Sequence, residues 1–146
     1  MTSDLAISPI TDADMPHVIA LWQRAGLTRP WNDPTNDIAF ARKTPTAEIL
    51  VGRADGAIAA ATMVGHDGHR GWIYYLGVDP DHRRKDFGRA LMTAAEDWLR
   101  AQGIEKVMLM VRSDNKQVQA FYDNIGYTVQ DRVVYSRWLD GREMTP

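Results

Sequence analysis

The sequence predicts a mixed α/β domain in which helices cover both faces of a largely antiparallel sheet. Three observations lead there. Apolar or alternating segments of strand length recur at 5–10, 48–53, 58–65, 72–78 and 106–111. Longer segments between them repeat apolar residues at helical spacing, most clearly over 88–102. Gly, Pro, Asn or Asp stands at most boundaries, giving those segments a physical reason to begin or end.

Residues 5–10 alternate apolar and polar, as a half-buried strand does. Thr11-Asp12-Ala13-Asp14 then reads as a capped helix start, with Met15, Val18, Ile19 and Trp22 on one stripe and Gly26 as the stop. An irregular segment, 27–34, follows, and a short helix is expected at 35–43. The strands at 48–53 and 58–65 form a hairpin turned at Asp55-Gly56, because that dipeptide suits the positive φ of a two-residue turn. A second turn spans 66–71, and 72–78 is an aromatic-rich apolar run suited to the centre of a sheet. Leu91, Ala94, Ala95, Trp98 and Leu99 line one face of the next helix, which Gly103 stops. A buried strand at 106–111, a helix at 115–124 ended by Gly126, and two terminal strands near 127–130 and 133–138 complete the chain.

Composition sets the outer bounds. A chain of 146 residues fits one domain, residues 1–146, with a core of its own. The net charge of −2 and pI near 6.0 give no bulk attraction to nucleic acid, so a local basic cluster reads as an anion site. Without any Cys there is no disulfide, no thiolate nucleophile and no Cys-based metal site, and no metal is expected. No apolar run is long enough to span a bilayer, and the first residues lack the basic and apolar regions of a signal peptide, so the expected location is the cytoplasm, with no membrane partner.

The most informative stretch runs from Tyr75 to Leu91, from an apolar strand through a basic tight loop into an amphipathic helix. Backbone amides at a helix start point outward and the helix dipole favours negative charge there. Arg83, Arg84, Lys85 and Arg89 add cations, and Gly88 has no Cβ to hold a ligand off. The anion expected is a cofactor diphosphate; a basic loop whose arginines merely face water is the alternative. At Arg83-Arg84-Lys85-Asp86-Phe87-Gly88 the chain resembles the GNAT acetyltransferase superfamily, whose motif reads Arg/Gln-x-x-Gly-x-Gly/Ala. Asp86 stands where the family usually has its first glycine. At ~6 Å and an effective dielectric of about 20, like charges repel by roughly 2–3 kcal/mol, which the four cations offset in large part. Asp86 turning outward, or capping its own helix, is the other possibility.

A second stretch, from Asn115 through Phe121-Tyr122 to Gly126-Tyr127, resembles the superfamily's Asn-x-x-Ala-x-x-Phe-Tyr-x-x-x-Gly-Phe/Tyr signature, with the alanine displaced by two. The resemblance covers nearly the whole chain. It implies the GNAT acyl-CoA N-acyltransferase fold, whose sheet splays between the strands at 72–78 and 106–111 to admit the pantetheine arm of acetyl-CoA. It also implies a cofactor site of Leu76, Gly77, Val78, Arg83, Arg84, Lys85, Asp86, Phe87, Gly88, Arg89, Ala90, Asn115 and Tyr122. The amides of Leu76, Gly77 and Val78 are the expected oxyanion donors. Tyr122 is the candidate catalytic acid, because a phenol titrating near 10 keeps its proton at neutral pH and can donate to a departing sulfur.

The base is less evident. Two positions where the family places one fall here at Met110 and Trp72, which cannot accept a proton. His69, Asp67, Asp33 and Tyr74 are the remaining candidates, beside a water chain; a solvated turn for Asp67 and His69, and a helix cap for Asp33, are the plainer readings. The segments 29–34 and 67–71 are similar to a small bacterial subgroup of the superfamily, the one containing YpeA. In the family fold these segments lie over the acceptor, which makes Trp31, Asn32, Asp33, His69 and Tyr74 the expected substrate wall, with Trp31 as core filler the alternative. An acidic or carbonyl-rich wall suits a cationic amine. The expected activity is therefore transfer of an acetyl group from acetyl-CoA to a primary amine (a protein lysine, a peptide N-terminus or a small amine) by direct attack in a ternary complex, in a monomer or homodimer. An acyl-CoA-binding sensor without turnover is the alternative.

Overall fold

Asp55 and Gly56 adopt φ values of 52° and 81°, the pair of left-handed residues that a tight hairpin needs, and their strands pair from Ala54↔Ala57 outward. The computed structural model describes residues 4–83 and 86–144. These strands are β2 (Ala47–Ala54) and β3 (Ala57–His66), and they occupy the middle of a five-stranded sheet with β1 (Ala6–Pro9), β4 (Gly71–Val78) and β5 (Val107–Leu109). The sheet order follows chain order, β1-β2-β3-β4-β5. Neighbours are antiparallel except β4 and β5, which run parallel because α3 (Phe87–Ala101) carries the chain back between them.

The helices divide between the two faces. On one side α1 (Met15–Arg24) and α2 (Pro34–Lys43) bury Val18, Leu21, Trp22, Ile38 and Ala41 against Ile49, Val51 and Ala61. On the other, α3 turns Leu91, Met92, Ala95 and Leu99 inward. Glycines fit the sheet to both layers: a Cβ on Gly71 would lie 2.6 Å from Leu99 Cδ1, and one on Gly77 would lie 2.8 Å from Leu27 Cδ1 and 3.1 Å from Trp22 Cδ1. The expected start of α1 is present as a short turn at Asp12–Asp14, where Asp14 Oδ2 accepts the Thr11 N–H at 2.9 Å. Asp14 is buried and also pairs with Arg53, whose guanidinium holds its carboxyl below the ordinary range.

By its contacts the chain forms two compact units, residues 1–110 and 111–146. The elements above belong to the first. The second contains α4 (Lys116–Asn124), capped by Asn115 Oδ1, which accepts the Val118 N–H at 3.2 Å, and ended at Gly126 with φ 96°. The two terminal strands expected near 127–130 and 133–138 are not formed. That segment has no ladder partner among the described residues, and Val129 and Tyr135 are 80% and 92% exposed. Their β-branched and aromatic residues express a preference for a pleated, half-buried surface, and without a partner strand the preference has nothing to act on.

Candidate active site

The site in the first unit begins with a break in β4. Ala61 pairs with Gly77 but Met63 pairs with Tyr74, so β4 carries an extra residue opposite Thr62. Tyr75 absorbs it with φ 57°, a left-handed conformation that a non-glycine residue rarely adopts. The bulge cancels the normal alternation of side chains. Gly71 ahead of it faces α3 while Gly77 beyond it faces α1, and two consecutive tyrosines, Tyr74 and Tyr75, line the same cavity. The buried Thr62 hydroxyl donates to the Tyr74 carbonyl at 3.0 Å, so the distorted backbone is held from the neighbouring strand.

That cavity has a volume of about 450 Å³ and lies between α2 and the sheet, lined by Asn32, Asp37, Phe40, Met63, Tyr74 and Tyr75 among others. The Tyr75 ring stacks on Trp22 with centroids 4.3 Å apart, and its hydroxyl donates to Asp37 Oδ2 at 2.6 Å. Burial and the Asp37 carboxylate push the Tyr75 phenol well above its ordinary value, and burial together with Asp67 raises that of Tyr74. Both are neutral donors at physiological pH.

On its other edge β4 pairs with β5 for three residues only, Gly71↔Val107, Trp72↔Met108 and Ile73↔Leu109. From Tyr74 to Val78 that edge has no strand partner among the described residues, which is the expected splay. Asp79 and a short turn, Pro80–His82, lead towards α3. The first backbone bond of α3 runs from the Ala90 N–H to the Asp86 carbonyl at 3.0 Å, so the N–H groups of residues 87–89 stand ahead of the helical ladder. Arg83 and Arg89 are exposed and, among the described residues, have no acidic partner.

A family model for the acetyltransferase (GNAT) family matches residues 15–127. The chain belongs to that family. Among its relatives, acetyltransferase YE1169 of Yersinia enterocolitica is 40% identical over 135 residues, spanning 92% of this chain and 96% of that protein. Acetyltransferase SG1711 of Sodalis glossinidius is 43% identical over 121 residues, spanning 83% and 85%. The fold is similar to that of AAC(6')-Iy, solved with the bisubstrate analogue CoA-S-monomethyl-acetylneamine, at a TM-score of 0.80 and 16% identity over 93% of this chain and 99% of that one. It is also similar to the PaiA N-acetyltransferase of Thermoplasma acidophilum in complex with coenzyme A, at 0.76 and 18% over 89% and 93%.

Within this GNAT acetyltransferase the expected site residues fall into distinct environments. Asn32 and Tyr74 meet in the cavity; Trp31 is half-buried beside Asn32 in sequence. Asp33 caps α2, accepting from the Thr35 and Asn36 N–H groups at 3.0 and 3.3 Å. Asp67 Oδ1 accepts the Arg70 and His69 N–H groups at 2.8 and 2.9 Å, and these bonds lower its pKa. Such a carboxylate is a turn anchor and a weak base; His69 stays exposed in the same turn. Asp86 is exposed, makes no side-chain cap bond and has φ 59°. That conformation explains why a glycine suits the position, and Asp is among the few other residues that tolerate it. Phe87 is 2% exposed, so its ring belongs to the core and only its backbone N–H faces the helix start. Gly88 and Ala90 are half-buried on α3, and the Ala90 N–H is engaged within the helix. Leu76 and Val78 are half-buried on β4, with Gly77 packed on α1. Arg84 and Lys85 lie outside the described residues.

In the second unit Tyr122 sits edge-on to Phe121 and Tyr127, with centroids 5.0 and 5.7 Å away, and desolvation pushes its phenol up to about 12. Asn115 uses its carbonyl oxygen as the α4 cap. Sequence reasoning missed Asp37, Phe40 and Tyr75. The first two stand three residues apart within the expected 35–43 helix, a spacing that places them on one face. Tyr75 had no local signal, because its role comes from a bulge.

Proposed function

We propose that this chain transfers the acetyl group of acetyl-CoA to a primary amine by direct attack in a ternary complex. The observation that carries the reading is the short β4–β5 pairing: beyond Ile73 an open strand edge runs towards the start of α3. A pantetheine arm is a chain of amides, and an open edge offers it backbone partners. The N–H groups of residues 87–89 and the exposed Arg83 and Arg89, which have no acidic partner among the described residues, suit a diphosphate, so the residues present fit the group. Arg84 and Lys85 would add charge by their place in the motif.

When bound, acetyl-CoA supplies an acetyl thioester, so that a C–N bond forms, the C–S bond breaks, the amine gives up one proton and the sulfur takes one. Residues 76–78 supply backbone N–H groups for the carbonyl oxygen, a role supported by the bulge that interrupts regular pairing at Tyr75 and Leu76. Tyr122 donates the proton to sulfur, a role supported by a phenol that keeps its proton across the physiological range. The amine proton leaves to solvent, since Asp33 and Asp67 are committed to backbone N–H groups. Asn32 and Tyr74 contact the acceptor from the cavity between α2 and the sheet.

A CoA-binding module without turnover is the second reading, favoured by the use of Asp33 and Asp67, two of the expected bases, as a helix cap and a turn anchor. A thiol-release assay with acetyl-CoA over a panel of small amines, lysine peptides and free peptide N-termini separates the two. Release dependent on an amine, with acetylated product found by mass spectrometry, is the expected result. Calorimetric CoA binding with no release on any amine supports the binding module instead.

A further inference from the structure

Asp37 differs from three other carboxylates of the first unit, Asp12, Asp14 and Asp79, in what balances its charge. Asp12, Asp14 and Asp79 each pair with an arginine: Arg42, Arg53 and Arg24. Asp37 is half-buried and, among the described residues, has no cationic partner; its Oδ2 takes the Tyr75 phenol and its Oδ1 takes no donor. Its place in the first turn of α2 suits a negative charge, but the helix start alone does not explain the surroundings. Asp37 opens on a cavity of about 450 Å³ whose other walls are mostly aromatic and apolar, with Asn32 and Thr44 the uncharged polar residues among them and Phe40 75% and Tyr74 43% exposed. Two accessible aromatic rings and one unbalanced carboxylate around a small-molecule-sized space form a receptor for an organic cation.

Resting on the acetyl-transfer reading above, we infer that the acceptor is a small diamine, one end of which is held as an ammonium by Asp37 and the Phe40 and Tyr74 rings while the other end reacts. The distinction matters chemically. A reacting amine must be neutral, so a carboxylate that gripped it as an ammonium would oppose the reaction. A carboxylate that grips a second, non-reacting ammonium places the nucleophile without suppressing it. Tyr75 fixes the Asp37 rotamer, and the Trp22 stack fixes Tyr75, so the anchor is ordered before the ligand arrives. The methylene chain between the two nitrogens would lie along Met63, Ala41 and Ala47, which line the same space.

The test has two arms. In the first, 1,4-diaminobutane and butylamine are titrated calorimetrically into the protein without acetyl-CoA, using wild type, Asp37→Asn and Phe40→Ala. The diamine is expected to bind about tenfold or more tightly than butylamine in wild type, and Asp37→Asn to remove that preference. Phe40→Ala, a change at an exposed residue with little risk to folding, is expected to weaken the diamine about threefold. In the second arm, thiol release gives kcat/KM for the same two amines, and their ratio is expected to fall towards one in Asp37→Asn. Equal binding of the two amines in wild type, or diamine binding unaffected by both substitutions, overturns the proposal. Acetylation of both amines with no Asp37 dependence overturns it while leaving acetyl transfer intact. Asp37-dependent diamine binding without release on any amine supports the cation site and overturns the transferase reading. Asp37-dependent acetylation of an arginine-flanked lysine peptide, with the free diamine ignored, overturns the assignment to a small molecule.

Discussion

The Thr62 hydroxyl donates to the Tyr74 carbonyl at 3.0 Å across the β3–β4 pair, at the place where β4 carries its extra residue. Thr62 has no exposed surface, so its side of this part-buried bond is shielded from water. It ties a buried strand to the two tyrosines that line the cavity.

Thr62→Val keeps the shape of the side chain and removes only the donor. The Tyr74 carbonyl loses a partner, and stability is expected to fall by about 1–2 kcal/mol, a drop in Tm of roughly 3–6 °C. Since the same bond orders Tyr74 and Tyr75, KM for the amine should rise while the dissociation constant for CoA stays near its wild-type value. Thermal unfolding and steady-state kinetics check the two halves; a change in CoA binding equal to the change in amine KM would mean that the bulge shapes the other edge of β4 as well.

Asp86→Gly removes a like charge from beside the proposed diphosphate site and suits the left-handed backbone that Asp86 already adopts. The CoA dissociation constant is expected to fall about three- to tenfold at low salt, with a smaller gain at moderate salt as screening shortens the reach of the charge. Stability should change little, because the backbone relief is offset by the greater freedom of glycine in the unfolded chain. Calorimetry at two ionic strengths measures this. Weaker binding would show that the carboxylate shapes the loop.

Tyr122→Phe should lower kcat about a hundredfold and leave CoA affinity unchanged if the phenol is the proton donor. The pH profile gives the sign. A donor works only while protonated, and a phenol pushed up to about 12 holds its proton through the whole practical alkaline range. Wild-type kcat is therefore expected to show no alkaline decline between pH 8 and about 10.5, where an unperturbed tyrosine near 10 would already be losing activity. A decline centred near 10, or a fully active phenylalanine variant, removes Tyr122 from that role.

Much of this was legible in the sequence where the cause is local. Asp55-Gly56 fixed the hairpin because two positive φ values are a property of those two residues, and the apolar periodicity located α1 and α3 because a buried helix face has to repeat. The terminal strands were misread for the opposite reason: Val133, Val134 and Tyr135 have strand-forming character, but a strand is a property of two segments. The candidate site divides in the same way. The basic loop and Tyr122 were visible as motif residues, whereas Asp37 and Tyr75 stand 38 positions apart and meet only because a one-residue bulge turns Tyr75 onto the face of its neighbour. No single-sequence pattern announces that bulge.

Position 75 joins three demands on one residue: a ring wide enough to stack on Trp22, a hydroxyl at its tip for Asp37, and a backbone in the left-handed region. Phenylalanine meets two of them, glycine only the last, and a β-branched residue none. Heritable drift at this codon has almost nowhere to go. Descendants that take up a different acceptor would have to do so by varying Asn32, Phe40 or Met63 around a fixed tyrosine.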